Sequence, residues 1–354
     1  MTSAPERPGP VTGPNAASAL EQAALSAASP SGLQVIVKQE TPFLPKVAFV
    51  LISLASLAGV TFTGAMAGLG PGAIAARWLG LWAIALAGGF AAWRVLYLRR
   101  SDREAEQGAL EALNATALAR ARTIGRRVAP IALAGVAGPL ATGYLAPTPL
   151  VRWALVACLV ALAAALAAGV DRRPAGIAVC LLAVAAIALW AYADAGAGWH
   201  GWMRAAHLAA FTLWLGGALW NIAVAMPAGR AHANVDAVVA GAHQLDRFRW
   251  VVRFALPTII VTGLLMAGAY RALPATWWAA FPGALIPGKV LAIIALVVVF
   301  ITCPLFRHCS PVQGVCDLHD LEDPEDPADP EDPEDRAHPE PPASAAGRAE
   351  RTAP

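Results

Sequence analysis

The densest run of residues able to hold a ligand is Asp194, Trp199, His200, Gly201, Trp202, Met203, Arg204, Ala205, Ala206 and His207. On a helix His200, Met203 and His207 stand at i, i+3 and i+7, so all three project from one face. Imidazole and thioether together suit copper: the thioether favours Cu(I), imidazole accepts either valence, and Asp194 would add an oxygen ligand. Two turns place His200 and His207 about 10 Å apart along the axis, too far for that pair alone to chelate one ion. Met203 or a second helix must close the site. The same residues also have structural uses, since His and Trp settle at membrane interfaces and Met fills cores. Lys289 is the only Lys after residue 46. It either snorkels outward or sets the field of a polar cavity with His207.

A second group comprises Cys303, His308, Cys309 and Cys316, with His319 following and His243 in an earlier loop. The spacing Cys303-x5-Cys309-x6-Cys316 lacks the tight C-x2-C of a zinc knuckle. In a reducing compartment these are free thiols, either inner acceptors for Cu(I) or groups without a role near a membrane exit. Cys158 and Cys180 sit in apolar runs and read as packing residues. Haem held by two imidazoles needs His at similar depth on different helices, whereas His200 and His207 share one helix. No phosphate-cradling glycine loop and no paired intramembrane carboxylates are present, so nucleotide chemistry and a carboxylate-driven proton pump have no support.

The elements that must position these groups follow from composition. The chain of 354 residues is 57% hydrophobic and 14% charged, with a mean hydropathy of +0.55. Those values exclude a pair of soluble domains and predict an all-α, polytopic membrane bundle. Eight apolar runs are long enough to cross about 30 Å of hydrocarbon: 47–69, 78–98, 128–146, 150–170, 174–194, 203–226, 250–271 and 285–306. The first five carry almost no polar side chain and read as scaffold, with Arg94 and Arg152 near enough to span ends to snorkel.

Charge supplies the orientation. The formal net charge of +2 divides into a body, residues 1–316, with 11 acids against 23 bases, and a tail with 13 acids against 3 Arg. Basic residues gather in alternate loops, at Lys38 and Lys46, Arg99 to Arg127, Arg172 and Arg173, Arg230 to Arg249, and Arg307. Loops kept in the cytoplasm collect Lys and Arg, so eight crossings place both termini inside and give the basic charge a membrane role rather than a nucleic-acid one. Within the 99–127 loop, Ser101 to Glu104 has a capping-box pattern, and Leu110, Leu113, Ala117, Ala121 and Ile124 recur at helical spacing. This predicts a surface helix over 101–125 lying on anionic headgroups.

The segment from Met203 to Arg307 resembles the copper resistance D family of bacterial membrane proteins. The resemblance rests on Arg204-x2-His207-Leu208 with Leu213-Trp214-Leu215-Gly216-Gly217, then an Arg-Phe pair and Thr262-Gly263, then Gly283-x-Leu285-Ile286-x2-Lys289. It implies copper handling at the bacterial cytoplasmic membrane, commonly import, with an extracytoplasmic copper-binding protein as partner. Carried over by position are His207, Trp214, Gly216, Gly217, Thr262, Gly263 and Lys289; His200, Met203 and Asp194 are our own addition. Gly216 and Gly217 would allow close helix contact around the path. The sequence departs from the family pattern at Trp277-Trp278, Pro282 and Pro287, and lacks a Met-rich or His-rich outer segment.

The expected organisation is a disordered inner head (1–45), a five-helix scaffold (46–195), a three-helix copper resistance D-like domain (196–309) and a disordered acidic, Pro-rich tail (310–354). Function is expected as a copper permease more than an enzyme. Two alternatives remain open: a haem-associated membrane enzyme resembling the membrane protoporphyrinogen oxidases, using His207 with Lys289, or an anchor or assembly subunit of a respiratory complex.

Overall fold

The computed structural model describes residues 43–101, 106–142, 149–232 and 234–302. The Cys303, His308, Cys309 and Cys316 group, the head up to residue 42 and the acidic tail lie outside the described residues, and the last three residues expected in the head, 43–45, open the first helix. Every regular element among those described is helical: α1 (Phe43–Met66), α2 (Pro71–Tyr97), α3 (Gln107–Ala134), α4 (Ala137–Ala141), α5 (Pro149–Ala168), α6 (Arg173–Ala195), α7 (Trp199–Trp220), a π turn (Asn221–Ala225), α8 (Met226–Ala231), α9 (Val235–Ala267), a 3-10 turn (Gly268–Tyr270), α10 (Ala275–Ala279) and α11 (Leu285–Thr302).

Six of these stretches are long and apolar enough to cross a membrane: Lys46–Met66, Pro71–Tyr97, Pro149–Ala168, Arg173–Ala195, Trp199–Ala231 and Val235–Tyr270. Their outward faces carry large apolar side chains, including Leu54, Leu181, Val184, Phe254 and Leu264, each more than half exposed. Contiguous apolar surface on this scale belongs against lipid. Local sequence sets the breaks. Gly68 (φ 72°), Gly196 (φ 70°) and Gly198 (φ 97°) turn the chain in the left-handed region, and Pro71 and Pro174 open α2 and α6 where a missing N–H costs nothing.

α2 is the central element. Ala83, Ala87, Phe90, Ala91 and Trp93 are completely buried, and α2 packs against α1, α3, α6 and α7. Its tightest contact is with α7, where Gly89 faces Gly216: a Cβ on either would overlap the backbone of the other helix. Gly217 leaves room for the Trp93 indole, whose N–H donates to the Leu213 carbonyl at 2.7 Å. Further round, α7 packs on α9, α5 joins α3 to α6, and α1 pairs with α11. The last described helix thus closes on the first.

Three expectations need correction. Most of the predicted surface helix, from Gln107, and the first third of the predicted third span are one element, α3. Its stripe of Leu110, Leu113, Ala117, Ala121, Gly125, Val128, Ala129 and Ala132 is buried against protein, because the 3.6-residue periodicity continues unbroken past Arg127. Its cap is not the Ser101 box. The Glu106 carboxylate accepts from the Gly108 and Ala109 amides instead, and these bonds hold that carboxyl below its ordinary range. Nor does Arg94 snorkel: it is 7% exposed and donates to the carbonyls of Val170 and Asp171 beyond the end of α5.

Candidate functional site

A cavity of about 80 Å³ opens among α1, α2, α7, α9 and α11. Its walls are mostly apolar, with Leu51, Ile52 and Val60 of α1, Trp78 and Trp82 of α2, and Phe211 and Trp214 of α7. Into this apolar space project Arg204, His207 and Lys289. The Trp78 and Trp82 indoles are fixed by donating to the hydroxyls of Ser56 and Ser53, at 2.9 and 3.1 Å. α1 and α2, expected only as scaffold, therefore line the cavity.

His207 is 8% exposed. Its Nδ1 lies 2.9 Å from the Thr262 hydroxyl on α9, and that hydroxyl donates to the Thr258 carbonyl one turn earlier. With its proton committed, Thr262 accepts from Nδ1–H, which leaves the Nε2 lone pair of a neutral imidazole open. Gly263 keeps the adjoining wall thin, since a Cβ there would touch His207 Cε1 at 3.5 Å. Lys289 reaches across from α11 until its Nζ sits where α1 has no side chain: a Cβ on Gly59 would be 3.0 Å away. It does not snorkel outward.

Asp194 is placed differently from its expected role as an oxygen ligand. Arg77 donates through Nη2 to both carboxylate oxygens at 2.8 Å, and Arg204 donates through Nε and Nη2 to Oδ2 at 3.1 and 2.9 Å. The carboxylate is 7% exposed and Arg77 3%. Two guanidinium groups thus occupy its lone pairs, as a buried carboxylate demands. This triad ties α2, α6 and α7 together at one end of the bundle. The Arg77 guanidinium also lies 6.0 Å from the centre of the Trp190 ring, while its Nε and Nη1 have no hydrogen-bond partner among the described residues.

Of the sequence-predicted donors, His207 and Lys289 line one cavity, and Met203 is buried one turn before His207. His200 is exposed, on the first turn of α7 between Trp199 and Trp202, which are 68% and 74% exposed. No group of three or more His, Cys, Asp or Glu side chains able to hold a metal occurs among the described residues. Sequence reasoning missed the Arg77–Asp194–Arg204 triad and the vacant side-chain position at Gly59. A signal for the first was present: Asp194 is a lone acid beside apolar runs, and such an acid requires a cation.

No family model matches the chain, and no curated protein and no solved structure gives a match.

Proposed function

We propose that this chain is a copper-handling membrane protein, a permease of the bacterial cytoplasmic membrane, with His207 as the donor inside its cavity. The observation that carries the reading is the His207–Thr262–Thr258 relay, which commits Nδ1 and leaves Nε2 as an unprotonated nitrogen in an apolar enclosure between helices. A buried imidazole oriented by a second hydrogen bond is how proteins hold soft transition metals. Met203 lies on the same helical face and supplies a thioether, and the exposed His200 stands one turn further toward solvent as a first contact for incoming ion. Eight crossings with both termini inside, and an extracytoplasmic copper-carrying partner, belong to the same proposal.

Cavity size favours this reading over haem. About 80 Å³ accommodates an ion with a few waters, whereas sites for cofactor-sized ligands enclose about 300 to 1,000 Å³. The charges select among cations. Arg204, although paired with Asp194, and Lys289 both line the cavity, and their positive charge disfavours hard ions that gain only electrostatic attraction. A soft ion recovers the difference through bonds to nitrogen and sulfur.

The test is copper accumulation in cells expressing the native chain or His207→Ala at matched membrane levels. The reading expects a loss of most expression-dependent copper accumulation in the variant. Undiminished accumulation rejects His207 as the donor.

A further inference from the structure

The charges around the cavity do not balance. Arg204 and Lys289 both line it, and no acid does; the one carboxylate near Arg204, Asp194, is shared with Arg77. Lys289 makes no hydrogen bond among the described residues, although an ammonium has three donors to satisfy. The lining offers little to accept them. Ser56 donates to the Ser53 carbonyl and accepts from Trp78, and His207 Nε2 is the other side-chain acceptor. The remaining acids of the described residues, Glu106, Glu111, Asp171, Asp236 and Asp246, belong to the opposite helix ends: Asp171 precedes α6, which Asp194 ends, and Asp236 opens α9, whose far end carries Thr262. Arg204, His207 and Lys289 share one cavity lining, and that lining contains no Asp or Glu.

In a low-dielectric space, uncompensated like charges are costly unless a counter-charge joins them. We propose that the cavity binds one small monovalent anion, a halide or a carboxylate of formate size, held by the Lys289 ammonium and the Arg204 guanidinium beside His207. About 80 Å³ matches an ion of this size. The walls of Leu51, Val60, Phe211 and Trp214 are apolar, and a low local dielectric strengthens the attraction. This inference goes beyond copper handling and stands without it. If copper does enter, the anion neutralises the field the metal meets.

Trp78, Trp82 and Trp214 line the cavity and report on it. In the purified full-length protein without copper, iodide should quench tryptophan fluorescence with a saturable component at constant ionic strength. Chloride or formate should compete it away and gluconate should not. Competition by formate alone assigns a carboxylate, and competition by chloride assigns a halide site. Lys289→Gln should weaken iodide affinity at least tenfold, and Lys289→Arg should keep it within about threefold. Should Lys289→Gln fail to fold, Gly59→Ala sets a methyl 3.0 Å from the native ammonium position and should weaken affinity severalfold. Quenching that is linear in iodide, or a saturable component unchanged in the folded variants, overturns the proposal. A Cu(I) titration of the same sample separates the two readings: copper bound at His207 without any anion component overturns only the anion site, and anion binding without copper overturns only the copper reading.

Discussion

At His207 one ring nitrogen is committed and the other is open, and the commitment belongs to Thr262. Removing that hydroxyl frees the ring to rotate and to change tautomer, so Thr262→Val should lower Cu(I) affinity by about 10- to 100-fold, as loss of an orienting partner does elsewhere. Thr262→Ser restores the acceptor and should recover most of it; a competition titration against a Cu(I) chelator reads both. Asp194 has a different task. Asp194→Asn leaves Arg77 and Arg204 buried around a neutral amide, a loss of about 3 to 5 kcal/mol for a broken buried pair. Its signature is a lowered Tm in detergent without altered copper stoichiometry in the protein that remains folded. Glu106, fully exposed, gives a pH signature at the start of α3. Its folded pKa lies below the unfolded one because the Gly108 and Ala109 amides bond the carboxylate. The stabilisation is therefore complete above the unfolded value and is lost as pH falls through the folded one. Protection of those two amides against hydrogen exchange should fall on that acid side, and Glu106→Gln should abolish the dependence.

Among the elements, the α2–α7 crossing decides whether a cavity exists at all. Gly89 and Gly216 bring the two backbones together, which sets Trp78 and Trp82 on one side and His207 and Trp214 on the other. Gly216→Ala must push the helices apart, and overpacking of this kind costs about 1 to 3 kcal/mol or more. It should lower Tm and cut copper binding together, whereas Gly72→Ala, which meets nothing within 4 Å, should change neither. The Gly216-Gly217 pair was legible in the sequence as a site of close helix contact, but Gly89 was not, because a glycine within the uninterrupted apolar run Leu81 to Trp93 carries no mark of which neighbour it faces. Helix type was legible throughout, since apolar runs of this length allow little else. The continuity of α3 was not: Arg126 and Arg127 suggested a boundary, yet their side chains are exposed while Gly125, Val128 and Ala129 keep the buried stripe in phase.

At the scale of the whole described bundle, an apolar exterior is separated from a cavity that holds Arg204, His207 and Lys289, and the proposed function rests on that separation. His207 and Lys289 could be singled out from sequence because each is an isolated polar group in an apolar run. What could not be read was that Arg77 and Asp194, 117 residues apart, pair directly, or that α1 and α11 close the cavity. Such contacts depend on tertiary packing that periodicity does not encode. The proposed orientation, with alternate basic loops inside, predicts that reporters fused to either end of the chain are active only in the cytoplasm. The central claim is that His207 Nε2 binds copper within the bundle. Its most direct test is the copper K-edge absorption spectrum of the purified full-length protein with one equivalent of Cu(I). We expect the outer-shell scattering of an imidazole ligand in the native protein and its loss in His207→Ala. A native spectrum without that imidazole signal, or one that His207→Ala leaves unchanged, contradicts the account.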